Sequence, residues 1–223
     1  MKMECVRIFG DSILRGVLYE NGGYHLCHDR MNVPGVLLKN ECRMGADSRK
    51  GLALAHRVAE NCDRNTMALL EFGGNDCNYD WSRISDDPSL ILDCTVPPEE
   101  YCRNLKEMAA VLSRTGAQVA ICTLAPIDET QFMNYISRGL SYDNILQWLG
   151  TVHRLYEWQA YYSHLAEQTA KEIGCLLIDL RSAVDVQKRG ELFCADGIHP
   201  TEPCHVLLHR YLENELEQLI AAG

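Results

Sequence analysis

The 223-residue sequence predicts an α/β fold: three layers, with helices on both faces of a flavodoxin-like, doubly wound parallel sheet of about five strands. Three observations carry that expectation. Short apolar runs alternate with longer stretches of helical periodicity. The short runs are apolar at successive positions, as strands covered on both faces must be. No internal repeat, linker or low-complexity stretch interrupts the pattern, so residues 1–223 read as one domain. A chain of this length buries about 70% of its unfolded surface, enough for a core without metal or disulfide staples.

The elements follow in order. Cys5-Val6-Arg7-Ile8-Phe9 reads as the first strand, and residues 36–42 as a weaker second one. Met67 to Phe72 makes a third, 117–124 a fourth and 175–180 a fifth. Ile13 to Leu18 continues the first strand as a helical stretch. Over 98–115, Tyr101, Leu105, Met108 and Leu112 recur at helical spacing, with Pro98 suited to a first turn and Gly116 to a C-terminal cap. A second helix runs from Leu155 through Trp158, Tyr162 and Leu165 to its stop at Gly174. The last, from about Glu202, carries Leu208, Leu212, Leu216 and Leu219 on one face. Two connections, 77–97 and 127–153, are longer than the fold needs and leave the carboxyl edge of the sheet, where such folds bind ligands.

Composition narrows the function. Hydrophobic residues at 47% and charged residues at 23% exclude intrinsic disorder. A net charge of −10 repels phosphate backbones, which speaks against nucleic acid and anionic membranes as partners. No apolar run approaches the ~20 residues of a membrane span, and the charged first ten residues lack a secretory h-region. Eleven cysteines, odd in number and without a CxxC pair, read as free thiols in a reducing cytoplasm. The sequence carries no signal of oligomeric state.

Three segments carry chemistry. Phe9-Gly10-Asp11-Ser12 ends a strand at a helix N-terminus, where backbone N–H groups favour developing negative charge. Taken alone, Asp11 or Ser12 reads first as a helix cap. Phe72-Gly73-Gly74-Asn75-Asp76 sets an amide donor just beyond the third strand, although Gly-Asn is also a common turn. Asp196-Gly197-Ile198-His199-Pro200 sets a carboxylate and an imidazole three apart on a turn, which is also the pattern of a capping turn. All three project from one edge of one parallel sheet, and that conjunction favours a hydrolytic site over three unrelated turns.

With these blocks in place, the chain resembles the SGNH (GDSL-like) hydrolase family over residues 5 to 210. Gly10-Asp11-Ser12, Gly73-Gly74-Asn75-Asp76 and Asp196-Gly197-Ile198-His199 match its blocks, and Gly45 in Met44-Gly45-Ala46-Asp47-Ser48 best matches its second. Gly-Asp-Ser-Ile replaces the Gly-Asp-Ser-Leu of the family name, a swap between aliphatic residues of similar size. The resemblance implies a serine hydrolase cleaving carboxylic esters through an acyl-enzyme, with Ser12 as nucleophile, His199 as base then acid, and Asp196 as its orienter. It also implies an oxyanion hole from the N–H groups of Ser12 and Gly45 and the Asn75 amide. Asp76 is expected to be structural.

No cofactor is implied. His25, Cys27 and His28 lack a second ligand pair at zinc-site spacing, so no metal is expected. The G-x-S-x-G elbow of α/β-hydrolases is absent. The reading from another class is a non-catalytic flavodoxin-like binding module. Tyr79, Trp81 and Trp148, with Tyr135 and Tyr142, are the expected substrate wall, able to stack on a sugar or line an acyl slot. The family acts on sugar acetates, lipids and thioesters alike. Cytoplasmic location and an acidic surface tilt the expectation toward a small-molecule ester, such as a carbohydrate acetate, with a lipase- or thioesterase-type acyl hydrolase as the alternative.

Overall fold

The apolar run at the N-terminus becomes β1 (Cys5–Gly10) and lies beside β4 (Leu37–Asn40) and β5 (Thr66–Glu71) in a computed structural model that describes residues 2–222. With β6 (Gln118–Cys122) and β7 (Leu176–Ile178) they form an all-parallel sheet in the order β4-β1-β5-β6-β7. Counted by sheet strands alone this is the 2-1-3-4-5 order of flavodoxin-like folds, whose crevice opens where the winding reverses. Here that point lies between β1 and β5, the strands that end at Gly10 and Glu71.

Successive strand residues serve opposite cores, which is why the runs are continuously apolar. Phe9, Ala68, Leu70 and Ile121 face α2 (Ser48–Val58), α4 (Pro98–Ser113) and α7 (His153–Ile173). Val6, Ile8, Met67 and Leu69 face α1 (Ser12–Arg15) and α9 (Glu202–Ala222), where Leu208, Leu212 and Leu216 fill the layer. The result is the three-layer α/β/α arrangement the sequence predicts, with β4, β6 and β7 each shorter than its apolar run and β1 extended to Gly10. All eleven cysteines are unpaired. Among the described residues no helix is long and apolar enough to cross a membrane.

Two local expectations are corrected. The helix after β1 ends at Arg15, capped by Gly16, and Leu18 belongs instead to β2 (Val17–Glu20), which pairs antiparallel with β3 (Gly23–Leu26). Asn21-Gly22 forms the two-residue turn, both residues at positive φ, as a primed hairpin turn requires. That dipeptide is the strongest short-range hairpin signal, and helical periodicity over 13–18 masks it. The two long connections, in turn, are not open loops. They fold as α3 (Trp81–Asp86), α5 (Glu129–Ile136) and α6 (Tyr142–Leu149), each with an Asp or Ser side-chain cap, and share an apolar cluster of their own with α7. A four-residue helix, α8 (Arg189–Leu192), precedes the last turn before α9.

Candidate active site

Ser12 opens α1 directly after β1, with Asp11 as N-cap accepting the Ile13 N–H at 2.8 Å. Between β7 and α9, the segment from Phe193 to Pro200 folds back on itself. Phe193 bridges Pro200, and the Cys194 N–H donates to the His199 carbonyl at 2.7 Å. Gly197 is obligatory there. Its φ is +72°, and a Cβ would stand 2.3 Å from the Phe132 nitrogen, while its carbonyl accepts the Asp128 N–H.

That turn aims His199 at Ser12. The imidazole Nδ1–H donates to Asp196 Oδ2 at 2.6 Å, and Nε2 lies 2.8 Å from Ser12 Oγ. Asp196 Oδ1 accepts the N–H groups of Ile198 and His199, both at 3.1 Å, so the carboxylate is held through both oxygens. Ser12, Asp196 and His199 are all buried. A carboxylate only accepts, so Nδ1 carries the proton and Nε2 presents a lone pair to the hydroxyl. The arrangement can deprotonate Ser12 as its oxygen attacks a carbonyl.

Asn75 and Gly45 line the same cavity as Ser12 and His199. The Asn75 amide is engaged in this state: Nδ2 donates to Asp11 Oδ2 and to the Ala46 carbonyl, each at 3.0 Å. Asp76 does not line the cavity. Its carboxylate accepts the Ser48 N–H at 3.0 and 3.1 Å, tying the end of β5 to the start of α2.

Three buried acids crowd this edge. Burial pushes the Asp11 carboxyl up to about 6, against the Ile13 N–H, the His199 ring and the Asn75 amide, which favour its charge. Burial lifts Asp76 to about 7 despite the Ser48 hydrogen bonds. Glu71, at the last position of β5, is raised well above its ordinary range by burial and then by the neighbouring Asp11 charge. Its Oε2 has no hydrogen-bond partner among the described residues. Of the pair Asp11 holds more of the donors that stabilise an anion, the Ile13 N–H and the Asn75 amide, against the single Asp11 N–H that favours the Glu71 carboxylate.

The cavity encloses about 1010 Å³ and runs from Ser12 between α3, α5, α6 and α7. Tyr79, Trp81 and Trp148 line it and pack on one another, with ring centroids 4.8 to 6.3 Å apart. Both indole N–H groups are already bonded, Trp81 to Oδ1 of Asn78, itself on the cavity lining, and Trp148 to the Leu90 carbonyl. Tyr135 lines it too, whereas Tyr142 is 41% exposed outside it. Sequence reasoning missed Tyr24, whose ring meets His199 edge-on at 5.3 Å, along with Glu71 and Trp158. Asn21-Gly22 signals the hairpin that carries Tyr24; a Glu ending an apolar strand and a Trp on a helix signal nothing by themselves.

The family model for the GDSL-like Lipase/Acylhydrolase family matches residues 8–207. Three solved structures share the fold. A lipase/acylhydrolase from Enterococcus faecalis is 16% identical at TM-score 0.63, covering 97% of this chain and 96% of that one. Est24, a carbohydrate acetylesterase from Sinorhizobium meliloti, is 14% identical at TM-score 0.66, covering 97% and 99%. A variant of Axe2, an acetyl-xylooligosaccharide esterase from Geobacillus, is 17% identical at TM-score 0.66, covering 97% and 96%. No curated protein matches the chain by sequence.

Proposed function

The chain belongs to the GDSL-like lipase/acylhydrolase family, and on that premise we propose that it cleaves carboxylic esters with Ser12 as nucleophile, His199 as base then acid, and Asp196 as orienter. One observation carries this reading: the unbroken relay from Asp196 through His199 to Ser12, at 2.6 and 2.8 Å. Ser12 Oγ attacks the ester carbonyl while Nε2 takes its proton. The tetrahedral intermediate collapses, and the imidazolium returns that proton to the departing alcohol. Water, deprotonated by the same nitrogen, then cleaves the acyl-enzyme. The N–H groups of Ser12 and Gly45 and the Asn75 amide receive the oxyanion, for which Asn75 exchanges one of its present acceptors.

The cavity supports a medium or long acyl chain over an acetyl group. Most of its wall is aromatic and aliphatic, with Arg138, Arg154 and Gln159 as polar members, its indole N–H groups are already bonded, and about 1010 Å³ is far more than acetate fills. This shifts the expectation away from a carbohydrate acetate. The second reading, a sugar acetylesterase, draws support from the same stacked rings as a platform for a sugar face. A p-nitrophenyl ester series from acetate to palmitate separates the two, with Ser12→Ala as control. The acyl reading expects kcat/KM to rise beyond butyrate; a steep optimum at acetate overturns it in favour of the sugar ester. Wild-type turnover by Ser12→Ala would remove Ser12 as nucleophile.

A further inference from the structure

Away from the crevice, α9 and the β2–β3 hairpin bring three metal-ligating side chains together. His205 and His209 stand four apart on α9 and so share a face. Cys27 follows the last residue of β3. All three are buried, at 0%, 4% and 1% exposure, and a ligand atom from each lies within 4.8 Å of the other two. The sequence offered Cys27 to a metal only beside His25 and His28, which are exposed; its partners, His205 and His209, are on a helix far along the chain.

The ring nitrogens facing elsewhere are already committed. His205 Nε2 lies 2.9 Å from the Val17 carbonyl, which can only accept, so this nitrogen carries the proton. The neutral ring is left with a bare lone pair on Nδ1, and that atom has no hydrogen-bond partner among the described residues. His209 Nδ1 lies 2.6 Å from Asp29 Oδ2, which leaves Nε2 free. Metal-binding histidines share this habit: one nitrogen ligates while the other donates to a carbonyl or carboxylate that fixes the ring. Packing alone accounts for a buried histidine pair, but not for a buried lone pair left without a partner on a ring grouped with a thiol and a second imidazole.

The surroundings are built to hold Cys27 and Asp29 in place. Glu202 Oε1 accepts the N–H groups of His28 and Asp29, and Glu213 Oε1 accepts that of Asn32, strapping the turn to α9. Arg30, exposed, sets Nη1 3.7 Å from Cys27 Sγ.

We propose that Cys27, His205 and His209 form a zinc site, with Asp29 orienting His209, that clamps the β2–β3 hairpin to α9. Thiolate with two imidazoles is a donor set suited to Zn²⁺, and the fourth position is left for water. Tetrahedral zinc spaces its ligand atoms by about 3.3–3.8 Å, so the three close by up to about 1.5 Å on binding. The Cys27 thiol gives its proton to solvent as the sulfur–zinc bond forms, and Arg30 yields the sulfur. The clamp fixes the hairpin that presses Tyr24 against His199, yet no step of ester hydrolysis runs through the metal.

The test uses the full chain stripped with a chelator and titrated with Zn²⁺ or Co²⁺ alone. One equivalent is expected to bind, with a rise in Tm and a thiolate-to-cobalt charge-transfer band. Cys27→Ser and His209→Gln should lose the equivalent, and Asp29→Asn should weaken binding about 10–100-fold. A readout on the wild type keeps the test independent of variant folding: zinc at ten times its Kd should slow alkylation of Cys27 about tenfold and leave Cys5 and Cys102 unchanged. No stoichiometric uptake, a cobalt spectrum without the thiolate band, or undiminished Cys27 alkylation overturns the site. Ester hydrolysis by the stripped chain is a separate outcome, so failure of the metal site and failure of the hydrolase reading are distinguishable.

Discussion

The side-chain amide of Asn75 donates to the buried carboxylate of Asp11 at 3.0 Å, and its second N–H is taken by the Ala46 carbonyl at the same distance. An amide with both donors engaged serves an oxyanion only by giving one up. The exchange is favourable when the incoming oxygen carries more negative charge than the acceptor it replaces, as a tetrahedral oxyanion does relative to the Ala46 carbonyl. Asn75→Ala should therefore lower kcat about 10²–10³-fold with little change in KM. It should also lower Tm, because Asp11 and Ala46 lose a donor at a cost of about 1–3 kcal/mol. Steady-state kinetics well below Tm separate the two effects, and a change confined to KM removes Asn75 from the oxyanion site.

Asp196→Asn preserves the shape of the turn. The amide oxygen can still accept the Ile198 and His199 N–H groups that Oδ1 accepts now. Its NH₂, however, faces Nδ1 with a donor and favours the tautomer whose proton sits on Nε2, where it blocks the Ser12 hydroxyl. We expect kcat to fall by about 10⁴, with Tm close to wild type. A comparable kcat in this variant sinks the orienting role.

Glu71 makes stability depend on pH. Its folded-state pKa lies well above its ordinary value of 4.5, through burial and the charges of Asp11 and Asp76, with the Cys42 thiol alongside. The folded chain therefore holds a proton the unfolded chain has released. That contribution is complete below about 4.5 and is lost as pH rises through the raised folded value. Asp11, at about 6, and Asp76, at about 7, act in the same direction over their own windows. Tm should thus fall between pH 5 and pH 8. Glu71→Gln, which cannot ionise, should have a higher Tm than wild type at pH 8 and lose that advantage at pH 5. Parallel Tm–pH curves for the two proteins would place the raised pKa elsewhere.

Trp148 reaches the cavity from α6 and packs on Tyr79 at 4.8 Å. Replacing it with Ala removes apolar surface from the far wall and leaves Ser12 and His199 untouched. The ratio of kcat/KM for octanoate over acetate should drop about 10–100-fold, with the acetate rate within twofold of wild type. An unchanged ratio means the chain lies along another wall.

Local chemistry made much of this protein legible in its sequence. Continuous apolar runs announce two-faced strands, i, i+3, i+4 spacing announces the flanking helices, and Gly10-Asp11-Ser12, Asn75 and Asp196–His199 stand at strand or turn ends where such residues can reach substrate. Periodicity is a property of neighbours, and these features need only neighbours. Folding of 77–97 and 127–153 into α3, α5 and α6 was decided by long-range packing. Their shared cluster of Ile84, Met133, Ile145 and Leu155 draws on residues from four elements, and the cavity is the space that packing leaves. The engagement of Asn75 with Asp11, the burial of Glu71 and the approach of Cys27 to His205 and His209 likewise exist only once distant segments meet. A distance between residues far apart in sequence follows from how whole faces pack, and no local pattern encodes it.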